Sequence, residues 1–252
     1  VSAARVVEPT FTEDRLLGGR VQLRQPLDGY RAAIDPVFLA ASVPAEPHQL
    51  ILDVGCGQGA AMFCLAARVP HCRVVGLEMQ RELVRLAGDN AILNAMETRV
   101  SVMIGDLSQP PPRLSPGAFD HVMANPPFNE RGRTTPPATP DKADATIEGD
   151  ADLGTWVRFS LAMVRSKGTV TFIHRADRID ALLGQIAGRA GEIVIFPLWP
   201  GQGRAASRIL VRARKQIAAP ARLAVGLVLH EPDGRLTSAA EAVLREGRGL
   251  EL

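Results

Sequence analysis

One stretch limits the fold more than any other: residues 50–59, LILDVGCGQG. An apolar run of strand length ends at Asp53-Val54-Gly55. Gly57 and Gly59 then open an apolar segment of helical length over residues 60–69. Short apolar runs bounded by glycine read as buried strands, and glycine lets the backbone turn sharply and approach a ligand. Such a junction belongs at the C-terminal edge of a parallel sheet, where α/β folds bind their ligands.

The pattern then repeats. Residues 73–78 (RVVGLE) predict a second strand, 81–95 a helix and 99–106 a third strand, with a proline-rich loop over 107–118. Residues 119–128 predict a fourth strand ending in NPPF. Residues 129–150 hold three prolines and little apolar content, and are expected to form a long mobile loop, of the kind that is either functional or disordered. A helix over 151–166, a strand over 168–175 and a helix over 176–191 closed by Gly191 follow. Strands over 192–200 and 206–215 flank the turn GQGR. One short strand, a turn at Asp233-Gly234 and a helix capped by Thr237 or Ser238 end the chain. Near the start, Gly18-Gly19 between alternating runs predicts a hairpin. Asp35 as a capping carboxylate with Pro36 after it predicts a short helix. The fold class is therefore α/β: a doubly wound, mostly parallel, seven-stranded Rossmann-like sheet with a small N-terminal hairpin and helix extension. Residues 1–45 are that extension; residues 46–252 are the main domain with a C-terminal strand–helix tail.

The totals exclude some classes. The 252 residues are 46% hydrophobic, enough to bury one sizeable core, and the net charge of +2 demands no nucleic acid, so any basic surface is local. Cys56, Cys64 and Cys72 form no CxxC pair and are odd in number, which points to a reduced, cytoplasmic compartment. The five histidines lack ligand spacing, so no metal is expected. No apolar run reaches membrane-spanning length, and the N-terminal residues lack a signal-peptide core. The chain opens on Val1, so its natural start is expected to be missing or processed.

Gly55, Gly57 and Gly59 are spaced G-x-G-x-G, whereas a pyrophosphate cradle has G-x-G-x-x-G. Asp53 before them repels phosphate and suits a cationic amino-acid group. Glu78 at the second strand tip can accept from ribose hydroxyls. Asp106 at the third can accept from an adenine amino group. Three acids on consecutive strand tips fit S-adenosylmethionine, a sulfonium cation, better than NAD. Cys56 in the same loop reads as an inert buried thiol.

Asn125, Pro126, Pro127 and Phe128 follow the fourth strand. The amino nitrogen of a base or an amide is a poor nucleophile because its lone pair is delocalised. The Asn125 side-chain oxygen and the Pro126 carbonyl can both accept its hydrogens, which localises the pair and aims it. The prolines stiffen the corner. Phe128 offers a stacking face, worth about 1–3 kcal/mol per base. The motif resembles the [N/D]-PP-[Y/F] motif of class I amino-methyltransferases, which include adenine-N6, guanine-N2 and release-factor glutamine enzymes. The segments DRLLGGRVQLRQPLDGYRAAIDPVFLAA and LVLHEPDGRLTSAAEAVLREG, taken with NPPF, look like the bacterial tRNA1(Val) adenine-N6 methyltransferase family over nearly the whole chain. That resemblance implies a tRNA substrate.

It also implies that QPLDGYRAAIDP lies beside the cofactor, with Tyr30, Arg31 and Asp35 as polar candidates and Arg31 as a partner for the cofactor carboxylate. His174 and Arg175, at the fifth strand tip, are candidates to touch substrate phosphate, and Asp177 to cap the next helix. Arg131, Arg133 and Lys142 in the long loop are candidates to clamp substrate. Arg208, Arg212 and Arg214 share one strand face that could follow an RNA backbone. A protein glutamine-N5 methyltransferase fits the same corner, and a non-catalytic SAM-binding RNA module and a dehydrogenase are the remaining readings.

Overall fold

The computed structural model describes residues 11–27, 33–127 and 151–252. Tyr30, Arg31, Phe128, Arg131, Arg133, Lys142 and the loop over 129–150 lie outside the described residues. Strands β1 (Phe11–Leu16) and β2 (Val21–Pro26) form the expected antiparallel hairpin. Its turn uses positive φ at Leu17, Gly18 and Gly19. Helix α1 (Asp35–Ser42) follows, then β3 (Leu50–Val54), α2 (Ala60–Arg68), β4 (Arg73–Glu78), α3 (Arg81–Leu93), β5 (Val100–Ile104) and β6 (Phe119–Ala124). Next come α4 (Leu153–Met163), β7 (Val164–Arg175), α5 (Ile179–Ile186), β8 (Ala190–Gly201) and β9 (Arg208–Lys215). The short strands β10 (Arg222–Leu223) and β11 (Leu227–His230) precede α6 (Ser238–Leu244), which Thr237 caps through its hydroxyl.

Among the described residues, one sheet of nine strands runs β10-β8-β9-β7-β6-β3-β4-β5, with β11 also parallel to β8. Only β9 is antiparallel to its neighbours. The seven expected strands are all present, and the two extra ones come from the tail. Gly226 explains why that tail makes two short strands and not one: it has φ +83°, and a Cβ there would meet the Pro197 carbonyl at 2.3 Å. After β3 the chain lays β4 and β5 on one side and β6 and β7 on the other, so the sheet's switch point lies between β3 and β6.

Apolar side chains cover both faces. One layer joins α1, α2, α3 and α6 with Leu17, Val21 and Leu23 of the hairpin; the other joins α4 and α5 with Leu52, Val54 and Phe172. The helix expected over 151–166 stops at Met163. Val164 already pairs with Phe119 on β6, and Gly168 sits so close to the Asp120 carbonyl that a Cβ would lie 2.5 Å from it. The helix expected to close at Gly191 stops at Ile186, with Gly188 at φ +75° just beyond it. Gly191 lies in β8, where a Cβ would come within 2.1 Å of the Ile217 carbonyl.

Candidate active site

Val54 pairs with Leu77 on one side and Ala124 on the other. The tips of β4, β3 and β6 therefore end level, and the glycine loop and the Asn125 corner leave the sheet as neighbours. Gly55 and Cys56 both donate to the Leu77 carbonyl, at 2.8 and 3.1 Å. Gly55, Gly57 and Gly59 all have positive φ, at 67°, 56° and 96°. A Cβ on Gly55 would strike the Trp156 ring at 2.4 Å, so close packing fixes that glycine. A Cβ on Gly57 would meet nothing within 4 Å, so the backbone there faces open space.

Asp53 is 3% exposed, and its Oδ2 has no hydrogen-bond partner. Burial, and then the charge of Glu78, raise its pKa well above the usual carboxylate value. An unpartnered buried carboxylate oxygen is costly unless a donor or a cation satisfies it. Glu78 Oε2 accepts from the Gly57 N–H at 2.9 Å, and Oε1 from the Gln80 N–H at 2.9 Å. Glu78 thus ties the glycine loop to β4. Asp106 lies beyond the end of β5, where its Oδ1 accepts from the Ser108 N–H at 2.7 Å. Burial, then Asp53 and Glu78, push up the Cys56 thiol, which keeps it protonated. At the corner, Pro126 is buried, and Asn125 and Pro127 are half-buried.

Residues 34–141 match the family model of the methyltransferase small domain. The fold superposes on a predicted O-methyltransferase of Agrobacterium tumefaciens with a TM-score of 0.72, at 24% identity, over 86% of this chain and 98% of that one. It also superposes on a geranyl diphosphate methyltransferase in complex with SAM, with a TM-score of 0.52 at 14% identity, over 71% and 84%. Residues 34–141 thus carry a methyltransferase small domain, and the chain has the fold of these methyltransferases. Asp53, Glu78 and the open Gly57 backbone fit S-adenosylmethionine, the cation bound in that second neighbour.

The chain is 26% identical to an rRNA N(6)-adenosine-methyltransferase of Caenorhabditis elegans over 65% of this chain and 69% of that one. It is 30% identical to a tRNA1(Val) (adenine(37)-N6)-methyltransferase of Yersinia enterocolitica over 39% of each. It is 33% identical to a release factor glutamine methyltransferase of Geobacter sulfurreducens over 36% of this chain and 31% of that one. The match thus spans well under half the length of the last two relatives.

Other expected site residues sit differently. Asp35 is the first residue of α1 and not its cap; its Oδ2 accepts from Arg208 Nε at 2.9 Å. That ion pair ties α1 to β9 and engages a carboxylate expected at the cofactor. His174 is 2% exposed, and neither ring nitrogen has a hydrogen-bond partner. Burial, then Arg178, lower its pKa to about 4, so the ring is neutral and enclosed. It is not placed to meet a phosphate. Arg175 stays on the surface and pairs with Asp177 through both carboxylate oxygens, so Asp177 caps no helix. The arginines of β9 are engaged as well: Arg212 donates to the Leu252 carbonyl at 2.6 Å, and Arg214 pairs with Glu192 at 3.4 Å. The Arg208–Arg214 face is therefore internally paired and not an open basic track.

Three residues around the loop were not singled out from the sequence: Gln25, Gln58 and Asn90, all buried. Gln25 had a readable signal, a polar residue at an inward position of a strand whose other inward positions are Val21 and Leu23. Among the described residues, no helix is long and apolar enough to cross a membrane. No group of three or more His, Cys, Asp or Glu among them could hold a metal ion.

Proposed function

We propose that this methyltransferase transfers a methyl group to the exocyclic amino nitrogen of an adenine in RNA, with tRNA as the favoured substrate. The observation that carries the reading is the level pairing of Val54 with Ala124, which sets the Asn125-Pro126 corner beside the glycine loop. The relatives that act on adenine-N6 of rRNA and tRNA support the choice of base.

When bound, S-adenosylmethionine supplies an electrophilic methyl group on a sulfonium. Asp53 would accept from its ammonium group, Glu78 from its ribose, and Asp106 from its adenine. Asn125 and the Pro126 carbonyl would accept the two hydrogens of the substrate NH₂ and aim its lone pair at the methyl carbon. The methyl group would pass to that nitrogen, the S–C bonding pair staying on sulfur as a neutral thioether. The methylated nitrogen would then lose its extra proton to water, with Asn125 and the Pro126 carbonyl accepting hydrogen bonds only. A paired adenine must first unstack or flip, at a cost of a few kcal/mol. Arg175, at the same sheet edge and paired with Asp177, would be a candidate to meet RNA phosphate.

A second reading, methylation of a protein glutamine at N5, draws on the release-factor relative. A carboxamide has the same delocalised nitrogen, and the same corner would serve it. One experiment separates the two. Labelled S-adenosylmethionine is incubated with the enzyme and with RNA or protein from cells lacking it. Label in tRNA as N6-methyladenine supports the first reading; label in protein alone moves the assignment to the second.

A further inference from the structure

The glycine loop is held from outside the Rossmann core. Gln58, between Gly57 and Gly59, is 3% exposed, and its Nε2 donates to Gln25 Oε1 at 2.9 Å. Gln25, on β2 of the hairpin, is 2% exposed, and its Nε2 donates to Asp14 Oδ2 on β1 at 2.9 Å. The Gln58 main chain is gripped from the other side, its carbonyl accepting from Asn90 Nδ2 on α3 at 3.0 Å. Asn90 also engages both main-chain groups of Arg24: Oδ1 accepts from its N–H at 2.8 Å, and Nδ2 donates to its carbonyl at 3.0 Å. One turn later Asn94 treats Gln22 in the same way, at 2.8 and 2.7 Å.

Gln58, Gln25, Arg24 and Asn90 thus close a ring that joins the loop, the hairpin and α3. Buried amides are stabilising only when their polar atoms are satisfied, and a broken contact leaves partners stranded in the interior. The position of Gln25 in an otherwise apolar inward row makes it a specifying contact more than a contribution to core burial.

We propose that the hairpin is a clamp on the cofactor loop and that Gln25 is a positioning residue, acting through Gln58 to hold residues 57–59 in the shape that takes S-adenosylmethionine. The inference rests on the assignment of this loop to that cofactor. By linkage, cofactor binding would in turn tighten the hairpin.

Two variants test it. Gln25→Met keeps length and bulk but removes both polar ends; Gln58→Met removes the loop's side of the contact and leaves the asparagine contacts in place. Hydrogen exchange of the amides at 55–59 is measured on the protein alone, and S-adenosylhomocysteine affinity by calorimetry. Each variant is expected to speed loop exchange and weaken affinity by about tenfold. The amides of Gln22 and Arg24 should stay protected, which a global loss of stability would not allow. The double variant should be no worse than either single one. Unchanged loop exchange, or effects that multiply in the double variant, overturn the clamp. If Gln25→Met does not fold, Gln58→Met decides alone. Failure of the unaltered protein to bind S-adenosylhomocysteine would instead sink the loop assignment, while the exchange data still judge the clamp.

Discussion

Val54 on β3 and Ala124 on β6 are direct register partners, so Gly55 and Asn125 leave the sheet side by side. The two tasks proposed for this edge, holding a methyl donor and presenting an amino group, would therefore start one residue past a shared rung. The tasks should be separable by mutation. Asn125→Ala is expected to lower methyl transfer by about 100- to 1,000-fold, the usual effect of deleting one preorganised polar contact to a reacting centre. S-adenosylhomocysteine affinity should stay within about twofold. Single-turnover assays and calorimetry on the same preparation check both, and substantial residual transfer would remove Asn125 from the chemistry.

Asp53 couples stability to the cofactor. Its pKa is raised in the folded chain by burial and by Glu78, so above the ordinary carboxylate range the folded state binds a proton that the unfolded state has lost. Stability therefore falls as pH rises through that window. Asp53→Asn should remove this slope and raise the melting temperature of the cofactor-free protein at pH 8 by about 2–4 °C for each kcal/mol relieved. The same variant should bind S-adenosylhomocysteine at least about tenfold more weakly. Equal affinity in the variant would show that Asp53 is not the acceptor for the ammonium group.

Gly55 and Gly57 share a backbone conformation but not an environment. Gly57→Ala meets no neighbour and should fold, losing about 1–2 kcal/mol for a left-handed non-glycine residue. Gly55→Ala adds a collision with Trp156 to the same strain and should lose several times more. Urea denaturation of the two variants checks the order. A Gly55→Ala protein as stable as Gly57→Ala would show that the Trp156 ring yields freely.

Acid should weaken the fold through two enclosed histidines. Burial chiefly lowers His121 and His174 from 6.5 to about 4. Between those values the unfolded chain binds protons that the folded chain refuses, so stability is lost as pH falls through that window. The loss is on the order of 3 kcal/mol for each ring. His121 is held by Thr169 and Gln49, at 2.8 and 2.9 Å, whereas His174 has neither nitrogen partnered. His174→Leu should therefore roughly halve the dependence of the urea midpoint on pH between 4 and 6.5 and also raise stability at pH 7. An unchanged pH dependence would mean that His174 opens to solvent as readily as the unfolded chain.

The strands and the site edge were legible because their signals are local. Apolar runs ending in glycine mark β3 and its loop, and the acids Asp53 and Glu78 stand at strand tips that the βα alternation predicts. Boundaries set by close approach were not legible. Nothing near Gly168 or Gly191 in the sequence announces the distant carbonyls of Asp120 and Ile217 that fix them. Polar pairing across the chain was equally hidden. Asp35 looked like a cap because Pro36 follows it, but Arg208, 173 residues away, takes its carboxylate. The β9 arginines looked like a substrate track because alternation reports which face they share and not what covers it.

Asn90 and Asn94 also close one margin of the hairpin. Their carboxamides occupy the main-chain groups of Gln22 and Arg24 that point away from β1, so a helix finishes the hydrogen bonding that a third strand would otherwise complete. An open strand margin is a template for pairing with other chains. Here that margin of β2 is occupied by side chains that cannot propagate a sheet, so no further strand can add along Gln22 and Arg24.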